Sequence, residues 1–177
     1  MQEHLKRAEK IKLIIFDVDG VLTDGGLIFG DDGQEYKAFN SKDGHGMKML
    51  QASGVEIAVI TGRNSSVVAH RMKNLGIKYV YQGCEDKLPA FREIIGALAL
   101  TAEKIAYVGD DIVDLPIMQR VGLAIAVQDA HPVVQKHAHW ITPEPGGRGA
   151  ARSVCEMIML AQKTLAIQFN KYIDPKL

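Results

Sequence analysis

Ile11-Lys12-Leu13-Ile14-Ile15-Phe16-Asp17-Val18-Asp19-Gly20-Val21-Leu22-Thr23 decides the fold. Its first half is almost continuously apolar, as a strand buried on both faces requires, and it stops abruptly on acids. Similar short apolar runs recur at Val55–Ile60, Ile77–Val80, Ile105–Val108 and Leu123–Val127. Amphipathic stretches separate them, over about Asp43–Ala52, Ser65–Leu75, Lys87–Leu98 and Ile112–Val121. This alternation predicts an α/β domain, a central parallel sheet with helices on both faces.

One segment interrupts the rhythm. Leu27-Ile28-Phe29 and Glu35-Tyr36-Lys37-Ala38-Phe39 flank Gly30-Asp31-Asp32-Gly33, which predicts a β-hairpin insertion. Further on, Asp129 is expected to cap a short helix with Pro132 in its first turn. Trp140-Ile141 reads as a last edge strand, 143–149 as a loop, and Ala150–Ala166 as one helix.

The 177 residues suit a single domain (1–177, core about 10–166, C-terminal tail 167–177). Lys+Arg and Asp+Glu both number 21, so no general basic field exists to attract nucleic acid, and an anionic ligand needs a local site. Cys84 and Cys155 form no metal or redox motif and read as reduced thiols. The polar opening does not resemble a signal peptide, and no apolar run reaches the ~20 residues of a membrane span. A cytoplasmic, membrane-free protein is expected.

The acids fall where the strands end. Asp17 and Asp19 close the first strand, Gly109-Asp110-Asp111 closes another with Asp114 following, and Thr61-Gly62 closes a third. In an open parallel sheet these ends share one edge, the usual ligand crevice. Carboxylates gathered there repel one another, and a hard divalent cation resolves the conflict. Oxygen donors without His or Cys favour Mg²⁺ over zinc. Asp-x-Asp alone is commonly a turn or a cap, and a lone Lys87 a solvated residue. Their joint order makes the functional reading.

Asp17-Val18-Asp19-Gly20-Val21-Leu22-Thr23, Thr61, Lys87 and Gly109-Asp110-Asp111-Ile112-Val113-Asp114 resemble the four ordered motifs of the haloacid dehalogenase superfamily. The resemblance implies a Rossmann-like three-layer sandwich and an aspartyl-phosphate mechanism. Asp17 would be the nucleophile, and Asp19 would protonate the leaving alkoxide, then activate water. Mg²⁺ would be held by Asp17, the Asp19 carbonyl and Asp110, with Asp111 and Asp114 supporting them. Thr61 would bind phosphoryl oxygens and Lys87 would neutralise developing charge. An acid rather than Thr two residues after the nucleophile favours hydrolysis over the stable phosphorylation of ion pumps.

Neither interval between these motifs has room for a cap domain. The closer resemblance is to a capless, homotetrameric branch acting on a small phosphorylated sugar acid in lipopolysaccharide precursor synthesis. It extends through Lys42-Asp43-Gly44-His45-Gly46, Thr61-Gly62-Arg63 and Gly146-Gly147-Arg148-Gly149-Ala150-Ala151-Arg152. In that branch the hairpins help build the tetramer, and the C-terminal portion nears a neighbour's active site. Lys42, Gly62, Arg63 and Arg148 are the substrate-binding candidates. A nine-carbon sugar-acid phosphatase, another small-metabolite phosphatase, and a non-catalytic binding subunit on the same fold are the alternatives.

Overall fold

The computed structural model describes residues 3–173. In chain order the elements are α1 (Glu3–Ala8), β1 (Leu13–Phe16), β2 (Ile28–Phe29), β3 (Glu35–Tyr36), α2 (Ser41–Ala52), β4 (Glu56–Ile60), α3 (Ser66–Leu75) and β5 (Tyr79–Tyr81). They continue with α4 (Leu88–Ala97), β6 (Ile105–Gly109), α5 (Leu115–Met118), β7 (Leu123–Ala126), α6 (Pro132–His137), β8 (Trp140–Ile141), α7 (Ala150–Ala161) and α8 (Leu165–Ile173). Six strands form one parallel sheet in the order β5-β4-β1-β6-β7-β8, and β2 pairs with β3 in a separate antiparallel ribbon. This is the α/β architecture expected from the alternating runs, with a hairpin and no cap between β1 and β4 among the described residues.

The continuous apolar runs have a direct cause. Every residue of β1, β6 and β7 is buried, so none of these strands has a polar face. Helices α1, α2, α3 and α7 form one contact group and α4, α5 and α6 another, as right-handed crossovers on two faces require. From β1 the chain moves outward through β4 to β5, then returns to lay β6 on the other side of β1. The β1/β6 boundary is therefore the point where strand order reverses, and a crevice opens there beyond the carboxyl ends.

Four local expectations are corrected. The helix from Ala150 breaks at Lys163, whose φ is +60°. Gln162 there sends its side-chain amide to the carbonyls of Ala8 (3.1 Å) and Ile11 (2.7 Å), and α8 then starts afresh. That new helix carries the expected tail as far as Ile173, and residues 174–177 lie outside the described residues. His131, not Asp129, caps α6 through Nδ1, which accepts from the Val133 N–H. Asp129 instead accepts from the Gly146 N–H at 2.9 Å. The stretch after Asp111 is a 3₁₀ turn (Ile112–Asp114) leading into the four-residue α5, shorter than expected because Pro116 restarts the helix. The short α1 was not foreseen, since six mostly polar residues give little apolar period.

Methionines 47, 49, 157 and 159 are core packing, as is Cys155. His139 is an exposed residue whose Nδ1 accepts from the Ala124 N–H at 2.8 Å.

Candidate active site

The loop after β1 is shaped before any ligand is considered. Asp17 follows β1, where its N–H bonds to the Val108 carbonyl of β6 at 3.1 Å. Its Oδ1 accepts from the Val18 N–H at 2.7 Å, leaving Oδ2 to meet the Lys87 ammonium at 3.0 Å. The loop then turns tightly, with the N–H groups of Val21, Leu22 and Thr23 all converging on the Val18 carbonyl. Gly20 takes φ +86°, and a Cβ there would lie 2.1 Å from Asp110 Oδ2. Only glycine lets the two acidic loops close to this distance.

Lys87 precedes α4 and is almost wholly buried, bridging Asp17 and Asp114 (2.7 Å). Burial pushes its ammonium pKa down, but the two carboxylates prevail and hold it above the ordinary lysine value. Asp114 is fully buried and fully engaged. Its Oδ1 accepts from Lys87 and from the Tyr107 hydroxyl at 2.6 Å; its Oδ2 accepts from the N–H groups of Asp110 (3.0 Å) and Asp111 (3.2 Å). Burial first, and Asp114 second, push the Tyr107 hydroxyl well above its usual range, so it remains a donor.

Oxygens of Asp17, Asp110 and Asp114 lie within 4.8 Å of one another. Since Asp114 has no acceptor capacity left, Asp17 and Asp110 are the two carboxylates of this group able to bind a cation. Asp110 Oδ1 is buried and has no hydrogen-bond partner among the described residues. Burial, then Asp114, raises Asp17 to about 7. Burial, then Asp114 and Asp17, raises Asp110 to about 8. Both groups ionise less readily than an ordinary carboxyl, and their all-oxygen donor set suits a hard divalent cation.

Asp17, Asp19, Thr61, Gly62, Arg63, Lys87, Asp110 and Asp111 line one open depression of about 300 Å³, with Leu27 and Val113 on its wall. Thr61 is buried at the end of β4; α3 begins only after Ser65, so Thr61 is not its cap. Exposed Asp111 caps the 3₁₀ turn by accepting from the Ile112 N–H, which steadies the loop carrying Asp110. Asp19 turns away from the buried acids, its Oδ2 3.9 Å from Arg63 Nε. Lys42 and Arg148 do not line this depression. Lys42 is exposed in the first turn of α2, and Arg148 pairs with Asp24 at 3.4 Å beside a neighbouring hollow.

Three participants escaped the sequence reading. Lys37 Nζ bonds to Asp19 Oδ1 and pairs with Glu35 at 3.1 Å, and Glu35 also meets Arg63 at 3.5 Å. Tyr107 braces Asp114. Its hydroxyl amid the apolar run Ile105–Val108 was the one available signal, whereas Lys37 in a strand-like stretch offered none.

A carboxylate held by a buried ammonium at the switch point of a parallel sheet, with a second acid two residues on, defines the class of haloacid dehalogenase-like hydrolases. The model of that family matches residues 80–152. The 3-deoxy-D-manno-octulosonate 8-phosphate phosphatase of Escherichia coli K12 is 48% identical over 161 residues, 91% of this chain and 86% of that protein. A probable phosphatase from Pseudomonas syringae has a crystal structure of TM-score 0.97, 49% identical, covering 99% of this chain and 100% of that one. The Moraxella catarrhalis octulosonate phosphatase, solved with magnesium, phosphate and the sugar acid, superimposes with TM-score 0.95 at 39% identity, covering 97% and 99%. The chain belongs to the 3-deoxy-D-manno-octulosonate 8-phosphate phosphatase family.

Proposed function

We propose that this chain is a Mg²⁺-dependent phosphoric monoester hydrolase that converts 3-deoxy-D-manno-octulosonate 8-phosphate to the free sugar acid and phosphate. The observation that carries this is Asp17 Oδ2 held 3.0 Å from buried Lys87, facing the same depression as Asp19, Thr61 and Arg63. The substrate follows from the relatives, at 47–48% identity across 91% of the chain.

Asp17 Oδ2 attacks phosphorus, and the ester oxygen departs with a proton from Asp19. Asp19 then takes a proton from water, whose oxygen forms the new bond to phosphorus as the bond to Asp17 breaks. Lys87 balances charge beside Asp17 throughout, and Thr61 donates to a phosphoryl oxygen. Asp17, Asp110 and the Asp19 carbonyl would hold Mg²⁺, which supplies charge neutralisation between the nucleophile and the phosphate dianion. Asp111 and Asp114 brace these groups. Gly62 and Arg63 meet the sugar acid.

The same reading assigns the enzyme to the cytoplasm, in lipopolysaccharide precursor synthesis, as a homotetramer. Support for assembly comes from Leu27, Ile28, Phe29 and Tyr36 of the hairpin, each at least half exposed, and from Val113 on the cleft wall, exposed to the same degree. A partner copy seated there would shelter a cleft that has no cap, and Lys42 and Arg148 would then contribute across the interface. Among the described residues no helix is long and apolar enough to cross a membrane.

A panel of phosphate esters with Mg²⁺ tests the reading. The octulosonate ester should rank first, and Asp17→Asn should lower its turnover by about 1,000-fold or more. Turnover that survives Asp17→Asn would sink the mechanism; a low rank for the octulosonate ester would sink the substrate.

A further inference from the structure

We infer that Lys37 is a positioning residue for Asp19, and that through it the β2–β3 hairpin decides which carboxylate oxygen serves the leaving group. This rests on the assignment of Asp19 as the acid in the reaction above.

Lys37 directly follows β3 in an otherwise open ribbon. Its predecessor Tyr36 is half exposed, yet the Lys37 side chain is 1% exposed. Burying an ammonium is expensive unless anions surround it, and here two do. Nζ donates to Asp19 Oδ1 and sits 3.1 Å from Glu35 Oε1. Glu35 reaches Arg63 at 3.5 Å, and Arg63 approaches Asp19 Oδ2 at 3.9 Å. The four side chains close a ring of alternating charge: Asp19, Lys37, Glu35, Arg63. Phe29, also on the hairpin, lies under the Arg63 guanidinium at 5.9 Å.

The two contacts of Asp19 are unequal. Oδ1 is bonded to a sheltered ammonium, whereas Oδ2 faces a half-exposed guanidinium at a distance too long for a hydrogen bond. Lys37 therefore occupies one oxygen and leaves the other to exchange protons. As the phosphorus–ester bond breaks, the proton on Oδ2 passes to the alkoxide and Asp19 is left ionised. In the second half-reaction water gives Oδ2 a new proton as its oxygen bonds to phosphorus and the bond from phosphorus to Asp17 breaks. Without Lys37, Arg63 is the remaining cation of the ring facing Asp19, and the carboxylate rotates towards it, withdrawing the working oxygen.

The test compares two esters in the full-length enzyme with Mg²⁺. A primary alkyl phosphate needs a proton on its leaving oxygen; p-nitrophenyl phosphate does not. kcat/KM reports steps up to phosphoryl transfer to Asp17, so it isolates this difference. Lys37→Met should lower kcat/KM for the alkyl ester by about 10- to 100-fold and for the nitrophenyl ester by less than about threefold. Lys37→Gln, which keeps length and polarity, should give the same split if the Met variant folds poorly. Equal losses on both esters, or no loss on either, would overturn the proposal. A wild-type enzyme inert towards these esters and towards the octulosonate ester would instead overturn the phosphatase reading itself.

Discussion

The strand-end cluster and the hairpin sit side by side but are built on opposite principles. Both carboxylate oxygens of Asp114 are bonded within the chain, by Lys87, Tyr107 and two backbone N–H groups. The hairpin joins its two strands through two residue pairs and leaves Leu27, Ile28, Phe29 and Tyr36 open to solvent. One region is self-sufficient; the other has apolar surface that its own chain does not cover. The ring through Lys37 and Glu35 ties them together, with Phe29 packed under Arg63. Damage to the first should therefore be felt inside one chain, and damage to the second between chains.

Lys87→Met tests the first half of that contrast most severely. It leaves Asp114 buried without its ammonium, and loss of one partner of such a buried pair typically costs about 3–5 kcal/mol. Denaturant unfolding should show it, alongside lost turnover; an unchanged midpoint would mean the cluster is not self-braced. The hairpin half is tested by Ile28→Ser with Phe29→Ser. Each side chain is half exposed, so unfolding of a single chain should shift by no more than about 0.5 kcal/mol per site. The sedimentation mass should nevertheless fall from that of the proposed tetramer towards a monomer. A wild-type protein that already sediments as a monomer contradicts the assembly.

Asp43 sharpens the contrast from within the core. It reaches from α2 to the start of α7, accepting from Arg152 N–H at 2.8 Å and Gly149 N–H at 3.3 Å. Asp43→Asn offers an amide donor where an acceptor stood, and should cost about 1–3 kcal/mol in unfolding free energy without changing assembly. The smallest effect concerns pH. Asp17 at about 7 and Asp110 at about 8 lie above the ordinary 3.8, so the metal-free folded chain holds more protons than the unfolded one across that interval. These two groups therefore lower stability as pH rises through that interval. Mg²⁺ binds the ionised forms and removes the loss. The Mg²⁺-induced rise in Tm should be larger near pH 8 than near pH 6. A rise that shrinks with pH would exclude Asp17 and Asp110 as the responsive groups.

What could be read from the sequence follows the same division. Strands buried on both faces announce themselves as apolar runs, so β1, β4, β6 and β7 fell close to their expected spans. β5 lies slightly later than expected, at Tyr79–Tyr81, because its partly exposed residues blur the run. The placement of Asp17, Asp19, Thr61, Lys87 and Asp110 in one depression was legible because topology brings strand ends together. The Lys37 contact was not: it depends on how a two-residue-per-strand ribbon folds back over the sheet edge, which no local pattern encodes. Nor was the break at Lys163, where the decisive partners, Ala8 and Ile11, lie at the opposite end of the chain.

The close approach of the glycine loop at 146–149 to the loop after Asp17 carries a consequence in time. A Cβ on Gly146 would stand 1.8 Å from the Gly20 carbonyl oxygen, and the Gly147 N–H bonds to the Val21 carbonyl at 2.9 Å. The wall that fixes the turn after Asp19 is thus translated after the segments that carry Asp17, Thr61, Lys87 and Asp110. A nascent chain that has already released Asp17, Thr61, Lys87 and Asp110 from the ribosome still lacks the surface against which Gly20 is seated. The turn after Asp19 therefore gains this wall only once Gly146 and Gly147 have been made, after Asp17, the proposed nucleophile, and the residues beside it.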